Sequence, residues 1–172
     1  MHFSDKEAGK NIPENMKLHN SLGIDIGSTT VKIAVLDSDN HILFADYERH
    51  YANIQETLAL LLSRAKEKLG EMTVRASITG SGGLTLSRHL NIPFTQEVVA
   101  VATALQAYAP QTDVAIELGG EDAKIIYFTG GIDQRMNGIC AGGTGSFIDQ
   151  MASLLQTDAS GLNDYAKHYQ MI

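Results

Sequence analysis

The 172 residues predict an α/β protein of two related lobes, and three observations carry that expectation. A glycine-turn β-hairpin occurs twice. Amphipathic stretches at the helical period lie between and after the two copies. The composition, 44% hydrophobic with six Tyr and five Phe, is enough for folded cores and excludes a disordered chain.

The first hairpin spans residues 22–36 (LGIDIGSTTVKIAVL), two β-rich runs broken at Gly27-Ser28-Thr29-Thr30. Its second run alternates Val31, Ile33 and Val35 with Lys32 and Ala34, the period of a half-buried strand. Asp37-Ser38-Asp39-Asn40 is turn chemistry, so residues 41–50 become the third strand of an antiparallel meander. Residues 53–69 predict a helix. Ile54, Leu58, Leu61, Leu62, Ala65 and Leu69 form one stripe, Asn53 and Glu56 have capping-box spacing, and Gly70 suits the C-terminal end. Residues 73–79 predict a strand running into the small-residue turn Gly80-Ser81-Gly82-Gly83. A short helical stretch follows to Leu90, and Pro93 interrupts it. Residues 96–109 make a second helix with Val98, Val101, Ala102 and Leu105 on one side.

Residues 114–128 (VAIELGGEDAKIIYF) are again strand, glycine turn, strand. A strand at 132–136, a glycine-rich loop at 141–145, a helix at 146–155 and a last helix at 158–170 follow. Domain expectations are a flexible leader at 1–20, a first lobe at 21–110 and the start of a second lobe at 111–172.

Set over one another at an offset of 92, the two hairpins agree residue by residue. Asp25 meets Glu117, Gly27 meets Gly119, Thr30 meets Asp122, Lys32 meets Lys124 and Ile33 meets Ile125. Self-similarity of this kind, in two copies rather than an array, points to two similar lobes facing a cleft. A hairpin that only has to turn favours Asn-Gly or Asp-Gly. Here the turns are hydroxyl-rich (Gly27 to Thr30) or glycine with acid (Gly119-Gly120-Glu121-Asp122). Small residues let backbone N–H groups approach an oxyanion, and acids beside phosphates act through a divalent cation.

The turns are therefore expected to hold the phosphates of a nucleotide. Gly27, Ser28, Thr29, Thr30, Gly119 and Gly120 would make the contacts. Asp25 and Asp122 would position Mg or its waters, with Glu117 and Glu121 weaker candidates on the cofactor side of the second turn. Lys32 is open between a phosphate ligand and a solvated strand lysine. Gly80 and Gly82 are open between bordering the nucleotide and punctuating a strand–helix turn.

A formal charge of −7 disfavours nucleic acid and anionic membrane as main partners. The one cysteine, Cys140, excludes an intrachain disulfide and fits a reducing, cytoplasmic setting. The polar stretch 1–20 has no apolar segment of the signal-peptide kind, and no apolar run reaches the length of a membrane span. The six histidines fall at no ligand spacing and receive no role. On composition alone, Cys140 is a small buried hydrophobe.

At DIGSTTVK and ELGGEDAK the chain resembles the actin, sugar-kinase and heat-shock-chaperone ATPase superfamily. That resemblance implies a ribonuclease H-like fold, one complete lobe plus the first part of a second, with ATP and Mg between the lobes. The segment from Asn137 to Asp149 (NGICAGGTGSFID) and the Thr79-Gly80-Ser81-Gly82 loop resemble the 2-hydroxyacyl-CoA dehydratase activators and the benzoyl-CoA reductase ATPase subunits. Membership implies an ATP-hydrolysing homodimer with one bridging 4Fe–4S cluster, passing a low-potential electron to a CoA-ester dehydratase or reductase. Cys140 would be a cluster ligand. The glycine loop and helix start behind it would lower its thiolate pKa and tune the cluster.

The chain departs from the family pattern in three places. The second cluster cysteine is expected downstream of residue 172, so the chain reads as an N-terminal part of a longer protein. Glu117 and Glu121 replace the usual Asp and Gln, which puts hydrolysis in question. Gly83 stands where an arginine often follows the loop. Two rivals stay open: a small-molecule kinase of the same superfamily, and a non-catalytic nucleotide-dependent assembly module.

Overall fold

Alternating apolar residues on successive strands can bury one face only if something covers it, and here the cover is a helix of matching length. The computed structural model describes residues 20–137 and 142–170. β1 (Asn20–Ile26), β2 (Thr30–Leu36) and β3 (Ile42–Arg49) form the expected antiparallel meander. β4 (Val74–Thr79) joins the other side of β1 in parallel, giving the order β3-β2-β1-β4. A parallel pair needs a crossover, and α1 (Ile54–Leu69) provides it.

Leu22, Ile24, Ile26, Val31, Ile33, Val35 and Phe44 point to one face, where Leu58, Leu61 and Ala65 of α1 close the core. Two details of α1 depart from the sequence expectation. The capping box does not form: the Asn53 amide donates to Glu56 Oε2 at 2.5 Å, and no side chain caps the helix start. Leu62 is 37% exposed. It lies one residue, about 100° of helix, beyond Leu61, and the sheet-facing stripe centres on Thr57, Leu58, Leu61 and Ala65.

β4 leads into α2 (Gly83–Leu90). The chain then returns along β4: Ile78 N–H donates to Pro93 O at 2.9 Å and Thr95 N–H to Ile78 O at 2.8 Å. This seats α3 (Glu97–Tyr108) beside the sheet, and the Tyr108 hydroxyl donates to Asn40 O in the β2–β3 turn.

The second sheet has the order β5-β6-β7, from β5 (Val114–Leu118), β6 (Ala123–Tyr127) and β7 (Asp133–Met136). Its hairpin register places Ile116 opposite Ile125 and Glu117 opposite Lys124. In the first hairpin Ile24 faces Ile33 and Asp25 faces Lys32, the same register displaced by 92. α4 (Gly145–Leu154) and α5 (Ala159–Ala166) follow. The last helix is shorter than expected; Asp158 starts it by accepting from Gly161 N–H at 2.8 Å. Among the described residues no helix is long and apolar enough to cross a membrane.

Candidate functional site at the meeting of two glycine turns

Each hairpin closes its turn in the same way. Gly27 N–H donates to Thr30 O at 2.9 Å, and Gly119 N–H donates to Asp122 O at 2.8 Å. Each hairpin also carries its lysine against its acid. Lys32 Nζ lies 2.7 Å from Asp25 Oδ2, and Lys124 Nζ lies 3.4 Å from Glu117 Oε1.

The environments of the two lysines then diverge. The Lys32 side chain is 50% exposed with Asp25 as its partner. The Lys124 side chain is 6% exposed and also reaches Glu97 Oε2 at 2.6 Å and Asp122 Oδ2 at 3.3 Å. Burial alone would lower the Lys124 pKa. The hydrogen bond to Glu97, the charges of Glu117 and Glu97 and the contact with Asp122 outweigh burial and hold it above the ordinary lysine value. Glu97 comes from the start of α3, so this ion cluster joins α3 to the second hairpin.

The two turns touch. A Cβ built on Gly120 would stand 2.7 Å from Thr29 Oγ1 and 2.8 Å from Ser28 Oγ, so any side chain there would have to displace the hydroxyls of the first turn. The 79–82 loop lies against the same place. Gly80 adopts φ +94°, and a Cβ there would overlap the Ile26 carbonyl and lie 2.5 Å from Asp25 Oδ1. Gly82 N–H donates to Ile26 O at 2.9 Å. Behind the second turn, Gly145 N–H donates to Gly119 O at 2.9 Å and Ser146 N–H to Gly120 O at 2.8 Å. The first turn of α4 is thus fastened to the second glycine turn. Arg49, at the end of β3, meets Asp149 of α4 at 2.6 Å.

The structure therefore gathers Asp25, Gly27, Ser28, Thr29, Thr30, Lys32, Gly80, Gly82, Gly119, Gly120 and Asp122 around one polar locus. Glu121 is exposed at the tip of the second turn. Cys140 lies outside the described residues.

Sequence reasoning missed two participants, Glu97 and His50. Glu97 had no visible signal, because its link to Lys124 is made only by folding. His50 had one: the meander register sets Arg49 opposite Thr30, which puts residue 50 beside the first turn.

The locus suits a divalent cation by its oxygen-rich donor set, and Glu117 Oε2 is buried there without a hydrogen-bond partner. A 4Fe–4S cluster takes a set of cysteine thiolates, usually four. One cysteine in the sequence does not make such a set, so the residues present do not hold a cluster by themselves.

A meander completed by a parallel fourth strand, with its glycine hairpin repeated in the same register and meeting the first turn to turn, defines an α/β protein of the ribonuclease H-like, actin-like ATPase class. Solved structures share the fold, among them two components of dehydratase systems. The activator of 2-hydroxyisocaproyl-CoA dehydratase from Clostridium difficile, with bound ADPNP, has a TM-score of 0.76 at 26% identity, over 88% of this chain and 58% of its own. Component A of (R)-2-hydroxyglutaryl-CoA dehydratase from Acidaminococcus fermentans has a TM-score of 0.79 at 25% identity, over 89% and 60%.

The family follows from the sequence match: over residues 22–169 the chain belongs to the BadF/BadG/BcrA/BcrD ATPase family. The activator of lactoyl-CoA dehydratase from Anaerotignum propionicum is 32% identical over 148 residues, 80% of this chain and 54% of that protein. The chain spans 54–59% of the length of four curated relatives it matches and 37% of a fifth.

Proposed function

We propose that this chain binds ATP with Mg between its two glycine turns, as the nucleotide-binding part of an activator that passes a low-potential electron to a CoA-ester dehydratase or reductase. The observation that carries the nucleotide reading is the meeting of two turns with the same closure and the same lysine–acid pair, displaced by 92 residues. Kinship with dehydratase activators supports the activator role, and one of those relatives holds ADPNP.

In this reading, backbone N–H groups of the first turn and the hydroxyls of Ser28, Thr29 and Thr30 donate to phosphate oxygens, with the Lys32 ammonium alongside. Gly119 and Gly120 let the second turn approach equally closely, and Gly80 and Gly82 border the nucleotide. Mg would be held by Asp25, Asp122 and Glu117, with Glu121 nearby, and would offset the charge of the phosphates. Lys124 keeps Glu117 and Asp122 in fixed positions by its ion pairs.

Cys140 would contribute one thiolate to a 4Fe–4S cluster completed by cysteines outside this sequence, bridging a homodimer in the cytoplasm. Nucleotide would act by favouring one arrangement of the lobes. The lobes are taken as residues 21–110 and 111–172.

The test is anaerobic reconstitution of the full protein with iron and sulfide, followed by absorption and EPR spectroscopy and ADP titration calorimetry. The expected results are Mg-dependent ADP binding and a cluster signal that Cys140→Ala removes. A cluster indifferent to that change, or none at all, overturns the redox part. ATP-dependent phosphorylation of a small molecule without iron would replace it with a kinase.

A further inference from the structure

We propose that His50 is a positioning residue for nucleotide binding, holding the first glycine turn so that a backbone N–H of the turn faces the phosphate. The proposal rests on the reading of that turn as a phosphate site and adds a residue to it.

His50 follows β3 and is 8% exposed. Its ring is satisfied on both sides. Nδ1 accepts from Ala52 N–H at 3.0 Å, so the ring proton sits on Nε2, which donates to Gly27 O at 3.2 Å. Its backbone N–H donates to Thr29 O at 3.1 Å. One residue therefore holds two carbonyls of the turn.

The consequence follows from peptide planarity. Among the described residues no peptide bond is cis, and in a trans peptide the C=O and the following N–H point in opposite directions. Anchoring Gly27 C=O on His50 turns Ser28 N–H away from His50. Ser28 and Thr29 are the residues whose hydroxyls meet Gly120 of the second turn. The first turn is thereby held with a donor presented before any ligand arrives, which removes part of the ordering cost of binding.

The chain accepts strain to keep this anchor. Tyr51 and Ala52 have φ of +44° and +67°, and Asn53 N–H returns to His50 O at 2.6 Å. Two successive left-handed residues form a tight turn that normally selects Asn-Gly. Strain of this kind persists where the surroundings enforce it, often at functional sites. Here the bond from Ala52 N–H to Nδ1 spans the strained residues.

Two variants separate positioning from folding. In His50→Asn the shorter side chain still accepts from Ala52 N–H, as in an Asx turn, but no longer reaches Gly27 O. In His50→Gln the amide still donates toward Gly27 O. Calorimetric titration of the full protein with ADP and Mg is expected to show about tenfold weaker binding for His50→Asn, the worth of one oriented hydrogen bond. His50→Gln is expected to stay within about threefold of wild type.

Long-range proton–nitrogen spectra of the His50 ring are expected to show the Nε2-protonated tautomer. Wild-type affinity in His50→Asn, equal losses in both variants, or a ring protonated on Nδ1 overturns the positioning role. A wild-type protein that binds no nucleotide overturns the reading of the turn, and the positioning role with it.

Discussion

Replacing Lys124 by Met tests whether two lysines at the same place in the repeat do different work. Lys124 is 6% exposed and lies within 3.4 Å of three carboxylates, those of Glu97, Glu117 and Asp122. At an effective dielectric near 20, each unit-charge pair at about 4 Å is worth about 4 kcal/mol before desolvation. Desolvation of the ammonium and repulsion among the acids oppose most of that gain. Removing one partner of a buried ion pair typically costs about 3–5 kcal/mol, because the other is left uncompensated. The acids here are 29–39% exposed. Solvent screening therefore brings the expected loss for Lys124→Met to about 2–4 kcal/mol.

Lys32→Met removes the equivalent residue of the first hairpin, which is 50% exposed with a partner 31% exposed. That change is expected to cost about 0–1 kcal/mol of stability while weakening nucleotide binding. Urea denaturation of both variants at neutral pH measures the difference. The Lys124 pKa is raised in the folded protein. Its contribution is therefore complete below the ordinary lysine pKa and is lost only as pH rises through the folded value. Equal losses in the two variants, or a Lys124→Met loss under about 1 kcal/mol, would refute the ion-cluster argument.

Gly80→Ala places a side chain at φ +94° and against the Ile26 carbonyl. It is expected to cost about 2–4 kcal/mol by urea melts and, by displacing Asp25, to weaken ADP binding in the presence of Mg. Leu61→Ala empties the centre of the first core, where Leu61 is 0% exposed. It should cost about 2–5 kcal/mol by the same assay, with little effect on the affinity of the protein that remains folded.

The backbone was largely legible in the sequence because two periods were clean. Val31, Ile33 and Val35 alternate, and Leu58, Leu61 and Ala65 recur at the helical spacing, so one core was foreseeable from residue order. Glycines with the same neighbours at an offset of 92 exposed the second hairpin. What the sequence hid was contact between elements. Nothing local marks Glu97 as the partner of a lysine 27 positions away, or Arg49 as the partner of Asp149. Asn53 and Glu56 had capping-box spacing, yet their side chains bond each other instead of the helix start. Spacing limits which groups can meet, whereas competing partners decide which do.

The charges around the two turns add one further expectation. In the first hairpin Asp25 and Lys32 cancel. Around the second, the carboxylates of Glu117 and Asp122 and that of Glu97 from α3 surround one ammonium, a net charge of −2, and the exposed Glu121 adds to it. A phosphate should therefore be accepted by the first turn directly and by the second only with a cation. ADP affinity is expected to fall when Mg is omitted, and Glu121→Gln should recover part of the loss. An exposed charge a few ångströms from a ligand is worth about 1 kcal/mol, so the recovery should be about two- to fivefold. It should diminish as ionic strength rises. Titrations with and without Mg, at low and high salt, measure both effects. A Glu121→Gln protein whose Mg-free affinity matches wild type at low salt would show that the turn tip does not face the phosphates. The acids of the second turn would then serve to hold Lys124 rather than to receive a cation.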